Sequence, residues 1–216
     1  LRRIEGNTTS FLSKKLAELG WNTNQQPKSI KNTMKLLKKI IAFFLGIIVL
    51  TLLTALFTRK DYALTRHTTI NKPKEEVFGY LKLLRNSDHF NKWTMVDPKA
   101  RKTYTGTDGT PGFIYAWNSE ETGIGEQQIT KIVPGNSTTE GRVEYKIRFI
   151  KPFEGVAETH IAAIPLEAGQ TKVEWAFASE MMYPMNIVLL FIDMEDFLGK
   201  DLDTSLTNLK NLLEKP

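Results

Sequence analysis

The sequence predicts an α+β domain of helix-grip type: a curved antiparallel sheet wrapped around a long C-terminal helix, preceded by one N-terminal transmembrane helix. Three observations predict it. Residues 40–58 hold no charged side chain over 19 positions. From Arg101 to Ala178 apolar residues recur with period two, in runs separated by glycine and proline turns. From Ile187 to Leu213 the spacing changes to three and four residues.

The uncharged run comes first. At about 1.5 Å rise per residue, a helix of this length nearly crosses the ~30 Å hydrocarbon core of a bilayer. Lys35, Lys38 and Lys39 precede it, and Arg59 and Lys60 follow. A cleaved signal peptide would have a shorter apolar region, about 7–15 residues, and a small-x-small cleavage site. Here the run ends on bulky Leu56 and Phe57. A buried core helix would be apolar on one face, whereas this run is apolar all round. We read residues 34–60 as an uncleaved signal anchor. The basic residues upstream place the N-terminus in the cytoplasm and the domain outside it.

Residues 1–33 are expected to be a poorly structured leader. Asn, Gln, Ser, Thr and Lys dominate from Asn22 to Thr33, and Met34-Lys-Leu-Leu-Lys-Lys looks like a natural start. Upstream sequence translated from a wrong start, and so not native, is the simplest account of residues 1–33. Within the leader, Ser10–Leu19 has the pattern of a short helix, with Ser10 as N-cap.

The remaining residues, 61–216, read as one soluble domain. Tyr62–Ile70 is a strand. Pro73-Lys-Glu-Glu opens a helix, with proline in the first turn and acids at the positive end of the dipole. Asp88–Trp93 is a second short helical piece. Strands follow over Arg101–Thr105, Phe113–Asn118, Glu126–Val133, Arg142–Ile150, Val156–Ile164 and Thr171–Ala178. Their breaks, such as Pro134-Gly-Asn and Glu167-Ala-Gly, carry turn chemistry, so consecutive strands pair as an antiparallel meander. A last helix of over twenty residues is long enough to lie across the whole sheet.

In this order the motifs resemble the SRPBCC superfamily, the START and birch-pollen-allergen-like proteins, nearest its polyketide cyclase/dehydrase and lipid-transport branch. The matching pieces are Thr69-Ile-Asn-Lys-Pro-Lys-Glu-Glu-Val-Phe, His89-Phe-Asn-Lys-Trp93 before Asp97-Pro98, and Trp117 with Gly123-Ile-Gly125-Glu. They continue with Phe149-Ile-Lys-Pro-Phe-Glu-Gly155, Thr171-Lys-Val-Glu-Trp175 and Gly199-Lys-Asp-Leu before Leu206-Thr-Asn-Leu-Lys. The resemblance covers residues 62–215. It implies a cavity between sheet and last helix that binds apolar small molecules, lipids or sterols, and in some members catalysis.

Charge excludes other classes. Residues 1–60 hold 11 Lys and Arg against 2 Glu, a balance of +9; the remaining 18 basic and 22 acidic side chains give −4. The basic excess belongs to the leader and anchor, so a nucleic-acid-binding domain is not expected. Without cysteine there are no disulfides, thiolate metal sites or cysteine nucleophiles. His67, His89 and His160 have no metal-ligand spacing. We expect neither metal nor cofactor.

Catalytic candidates are weak. Glu158 and His160 share a strand face and would form a base–orienter pair if that face were concave; a solvent-facing stripe beside Lys146 and Arg148 is the plainer reading. Tyr104 and Tyr145 are the next polar candidates. Asp193, Glu195 and Asp196 read as the wet side of the last helix near its positive end.

The aromatic residues say more. Phe113, Tyr115 and Trp117 share one strand face; so do Tyr145, Ile147 and Phe149, and likewise Trp175 and Phe177. With Met182 and Phe191 they are the expected ligand-binding set, ordinary core packing being the alternative for each alone. The function expected is a membrane-anchored binding domain for a hydrophobic or amphipathic, lipid-like molecule. The alternatives are a cyclase/dehydrase-type enzyme acting on a hydrophobic intermediate and a ligand-free interaction module. Partners are thus a hydrophobic small molecule and, through residues 40–58, a membrane.

Overall fold

The computed structural model describes residues 28–215, together with Lys14, Lys15 and Glu18. Those three are helical; the rest of the expected Ser10–Leu19 helix lies outside the described residues, as does most of the leader. The chain divides into two compact units, Leu1–Leu52 and Leu53–Pro216.

Helix α1 spans Lys28–Phe57. It begins six residues ahead of Met34, because nothing in Lys28–Thr33 breaks a helix. The span Asn32–Phe57 is long and apolar enough to cross a membrane, and 6% of its most apolar window is buried. A core helix would be mostly buried, so the side chains of α1 lack the packing that such a role requires.

The unit that follows is a seven-stranded antiparallel sheet with helices on its concave face. The strands are β1 (Asp61–Ile70), β2 (Arg101–Thr105), β3 (Ile114–Ser119), β4 (Gly123–Val133), β5 (Gly141–Lys151), β6 (Gly155–Pro165) and β7 (Thr171–Glu180). Their order across the sheet is β1-β7-β6-β5-β4-β3-β2. From β2 to β7 each strand pairs with its successor, as short turns require, and β1 closes onto β7 with Asp61 opposite Glu180. Register shifts within the β4–β5 pairing mark bulges, which bend a sheet.

Between β1 and β2 lie helix α2 (Lys74–Leu81), a 3₁₀ segment (Leu84–His89) and the one-turn helix α3 (Lys92–Met95). Asn91 caps α3, its side chain accepting from the Trp93 amide at 3.0 Å.

The last helix, α4, spans Met194–Leu213. The three- and four-residue spacing predicts one helix from Ile187; instead a 3₁₀ segment, Met185–Leu190, precedes it and a turn separates the two. Asp193 is the physical reason. Its carboxylate accepts from the Glu195 and Asp196 amides, which makes it an N-cap that starts a new helix. Phe191 therefore lies in the turn, outside α4.

Leu202, Leu206 and Leu209 of α4 are fully buried against the sheet, with Val77, Phe78 and Leu81 of α2. Polar contacts fix the helix. Arg66 of β1 lies over Gly199, where any side chain would collide with it, and bridges to Glu195 and Asp203 at 3.3 Å each. From α3, Lys92 pairs with Asp201, and the Trp93 indole N–H donates to the same carboxylate at 3.0 Å.

One buried polar side chain serves the end of α1. Asn186, fully buried, donates its amide to the carbonyls of Ala55 at 2.7 Å and Thr58 at 3.0 Å. These are carbonyls that a helix terminus leaves without intrahelical partners. Replacing Asn186 with alanine should cost about 1–3 kcal/mol, because the Ala55 carbonyl would stay buried and unpaired. Chemical denaturation of the full chain in detergent checks this; an unchanged midpoint would mean that the contact contributes nothing.

Candidate functional site

Alternation along the strands decides what faces inward. Tyr145 and Phe177 are buried, and Ile147 and Phe149 are partly buried, while Lys146 and Arg148 between them point to solvent. The inward set does not fill the space under the sheet. A cavity of about 220 Å³ remains.

Its sheet wall is formed by Tyr115, Trp117, Tyr145, Ile147, Phe149, Ile161, Trp175 and Phe177. Leu81, Leu84, Phe90 and Trp93 close the side of α2 and α3, and Leu198 closes the side of α4. Phe90 and Trp93 meet Trp175 edge-on, with ring centroids 6.1 and 6.5 Å apart. Trp117 stands over Gly125, where even a methyl group would collide with its indole, and meets Phe149 edge-on. Gly125 is therefore the residue that lets Trp117 lie against the wall.

The wall has a polar end. Asp88 accepts from Lys102 Nζ at 2.8 Å, from the Tyr115 hydroxyl at 2.6 Å and from the Tyr104 hydroxyl at 3.3 Å. Lys102 and Tyr115 line the cavity. Ser87 lines it too, and its buried hydroxyl has no hydrogen-bond partner among the described residues. A buried hydroxyl left unpaired is costly, so it is a group that a ligand's polar atom would satisfy.

The tyrosines are donors and not bases. Burial, then the hydrogen bond to and charge of Asp88, push the Tyr115 hydroxyl well above the usual tyrosine range. Burial, then Asp108, does the same to Tyr145, and burial followed by the charge of Asp88 raises Tyr104. Each stays protonated across the physiological range.

Seven of the expected ligand-binding residues are thus together on the cavity wall: Tyr115, Trp117, Tyr145, Ile147, Phe149, Trp175 and Phe177. Three are elsewhere. Phe113 shares the face of Tyr115 but packs as core, stacked on Tyr104 with Arg85 nearby. Met182 lies on a broader groove of about 1000 Å³ at the sheet's end, and Phe191 is 83% exposed in the turn ahead of α4. Glu158 lines that same outer groove and is exposed, while Thr159 points inward, so the Glu158–His160 face is not the concave one. The polar end was not expected. Asp88, Lys102 and Tyr115 come from three elements with no local spacing to betray them; the absence of a surface role for the neighbouring Ser87 is visible only in three dimensions.

No family model matches this chain, and no curated protein matches it. Solved structures do. A hypothetical protein, jhp0584, from Helicobacter pylori superposes with a TM-score of 0.54 at 9% identity, over 72% of this chain and 89% of that one. Truncated norcoclaurine synthase from Thalictrum flavum superposes with a TM-score of 0.51 at 11% identity, over 74% of this chain and 98% of that one. At these identities the likeness is one of fold. The chain has the helix-grip fold of the birch-pollen-allergen-like proteins.

Proposed function

We propose that residues 61–216 bind a hydrophobic or amphipathic small molecule in the cavity and that α1 holds them at a membrane. The observation that carries this is the cavity itself: an aromatic wall with one polar end and an unpartnered serine hydroxyl. A ligand-free module would fill that space with its own side chains.

Size narrows the ligand. A cavity of about 220 Å³ is near the small end of ordinary ligand sites. That suits a single ring system or an apolar chain with one polar group. Burying roughly 250 Å² of apolar surface at about 25 cal/mol per Å² gives about 6 kcal/mol of favourable transfer energy, against which the cost of immobilising the ligand is set. Hydrogen bonds to Ser87 and Lys102 would add to the favourable side.

Asn186 supports an anchor that stays attached. Its buried amide bonds the Ala55 carbonyl in the last turn of α1 and the Thr58 carbonyl just beyond it, and cleavage near Ala55 would disturb both contacts. Native mass spectrometry of the full chain released from nanodiscs tests the reading. A copurifying molecule of a few hundred daltons is expected. Empty protein that also takes up no apolar dye would overturn it.

A second reading has one observation in its favour. Lys102, Asp88 and Tyr115 form a connected cation, carboxylate and hydroxyl at the cavity's polar end, the group types that acid–base catalysis uses. Turnover of a bound molecule that stops in Lys102→Met, with binding retained, would favour an enzyme.

A further inference from the structure

The most exposed of the large apolar side chains in this unit lie in segments at one end of the sheet. The start of β1 pairs with the end of β7, Ser179 of β7 pairs with Ala157, and Phe149 pairs with Gly155. Asp61, Glu180 and the β5–β6 hairpin therefore share an end. The hairpin presents Phe153, 69% exposed. The segment after β7 presents Met182, Leu190 and Phe191, and the first turn of α4 presents Phe197. Asn186, inside this segment, is bonded to the Ala55 and Thr58 carbonyls, so the end of α1, with Phe57 89% exposed, belongs to the same patch.

The opposite end differs in chemistry. Its turns read Gly-Thr-Asp-Gly-Thr-Pro-Gly at 106–112 and Pro-Gly-Asn-Ser-Thr-Thr-Glu at 134–140. Both are what a water-facing turn requires. The third turn there carries Leu166, 43% exposed, beside Glu167, a lone apolar side chain against the several of the first end. Large apolar side chains exposed in number at one end mark a surface that meets something apolar. Here the patch continues directly from the last turn of a helix with membrane-spanning length and composition.

The cavity lies toward this end. Phe149 lines both the cavity and the outer groove, and Met182 lines the groove. Leu198, next to exposed Phe197, closes the cavity from α4.

We infer that this patch sits in the interfacial layer of the bilayer that α1 spans, and that the cavity fills from the membrane past Phe149. The ligand is then a bilayer-resident amphiphile delivered from lipid and not from water. This rests on the anchor and cavity readings above, and its test separates it from them.

The chain contains no cysteine, so single labels can be placed freely. Phe153→Cys, Phe191→Cys, Ile48→Cys and Glu167→Cys, each carrying an environment-sensitive dye, would be studied as full chains in phosphatidylcholine nanodiscs with nitroxide lipids. Labels at Phe153 and Phe191 should be quenched by nitroxides placed near the headgroups. The Glu167 label, on the opposite hairpin, should not. Phe153 and Phe191 labels that behave like Glu167, with Ile48 quenched by deep nitroxides, would overturn the inference and leave the anchor standing. An unquenched Ile48 label would overturn both. Uptake of a naphthylamine dye predissolved in the nanodisc lipid completes the test. The double variant Phe153→Asp/Phe191→Asp should slow uptake several-fold without changing the amount bound at equilibrium. An unchanged rate would overturn entry from the membrane, and no uptake by the unmodified protein would overturn the cavity reading.

Discussion

Replacing Trp175 with alanine should cost about 3–5 kcal/mol of stability, the range for removing a large buried aromatic. Trp175 is 7% exposed. Its indole N–H donates to the Thr159 hydroxyl at 3.0 Å, and that hydroxyl donates to the Ala176 carbonyl at 2.6 Å. Its faces are held by Phe90 and Trp93. Truncation would remove all of these contacts and enlarge an existing void, which cannot collapse because the sheet behind it is hydrogen-bonded on both sides. Trp117 should behave differently. It is partly exposed, lies toward the open end of the wall and packs mainly on Phe149 and Gly125. Trp117→Ala should cost only about 1–2 kcal/mol, as a partly buried position does. It should nevertheless weaken binding of a naphthylamine dye, because it removes a wall of the site. Chemical denaturation and calorimetric titration against protein-free nanodiscs measure the two effects. Equal stability losses in the two variants would show that the wall is ordinary core along its whole length.

The contrast between these two tryptophans also shows what a sequence discloses. Period two placed both on the inner face, and the turns between strands set the order of the sheet, because alternation and turn chemistry are local properties. The same rule cannot say how deep on that face a residue sits. Phe113, Tyr115 and Trp117 share a side but differ in fate: Phe113 lies under Tyr104 and Arg85, and only the other two reach the cavity. The break before α4 was legible in principle. Asp193 followed by Glu195 and Asp196 is an N-cap pattern, but an unbroken leucine spacing masked it. The polar end had no such signal. Ser87 and Asp88 sit in a 3₁₀ segment, Lys102 on β2 and Tyr115 on β3, and only folding makes them neighbours. Asn186 likewise gains its role from a helix end more than a hundred residues earlier in the chain.

Asp88→Ala should be among the most damaging polar changes in the domain. It strips three donors of their acceptor at once: Lys102 Nζ, the Tyr115 hydroxyl and the Tyr104 hydroxyl. Tyr115 is 1% exposed, so its hydroxyl would lose its protein acceptor and turn to whatever the cavity holds. The Lys102 and Asp88 side chains are each about one-fifth exposed, which screens their attraction in part. Together these losses should amount to about 2–4 kcal/mol. Lys102→Met alone should cost less, because a carboxylate that keeps its Tyr115 donor is better satisfied than a hydroxyl that keeps nothing. The double variant should be more stable than the sum of the two losses implies, since an apolar side chain facing an empty acceptor site strands no charge. Simple additivity in that cycle would show that Lys102 and Asp88 act independently. Binding supplies the second measurement. With Asp88 gone, Lys102 keeps the Thr94 carbonyl at 3.5 Å but loses its counter-ion at the cavity's polar end. Asp88→Ala should therefore bind an anionic amphiphile such as a short-chain carboxylate several-fold tighter than the unmodified protein does, with a neutral alcohol of equal length unchanged. Equal gains for both ligands would mean that the variant has only enlarged the cavity, and no gain for either would place Lys102 outside the ligand's reach.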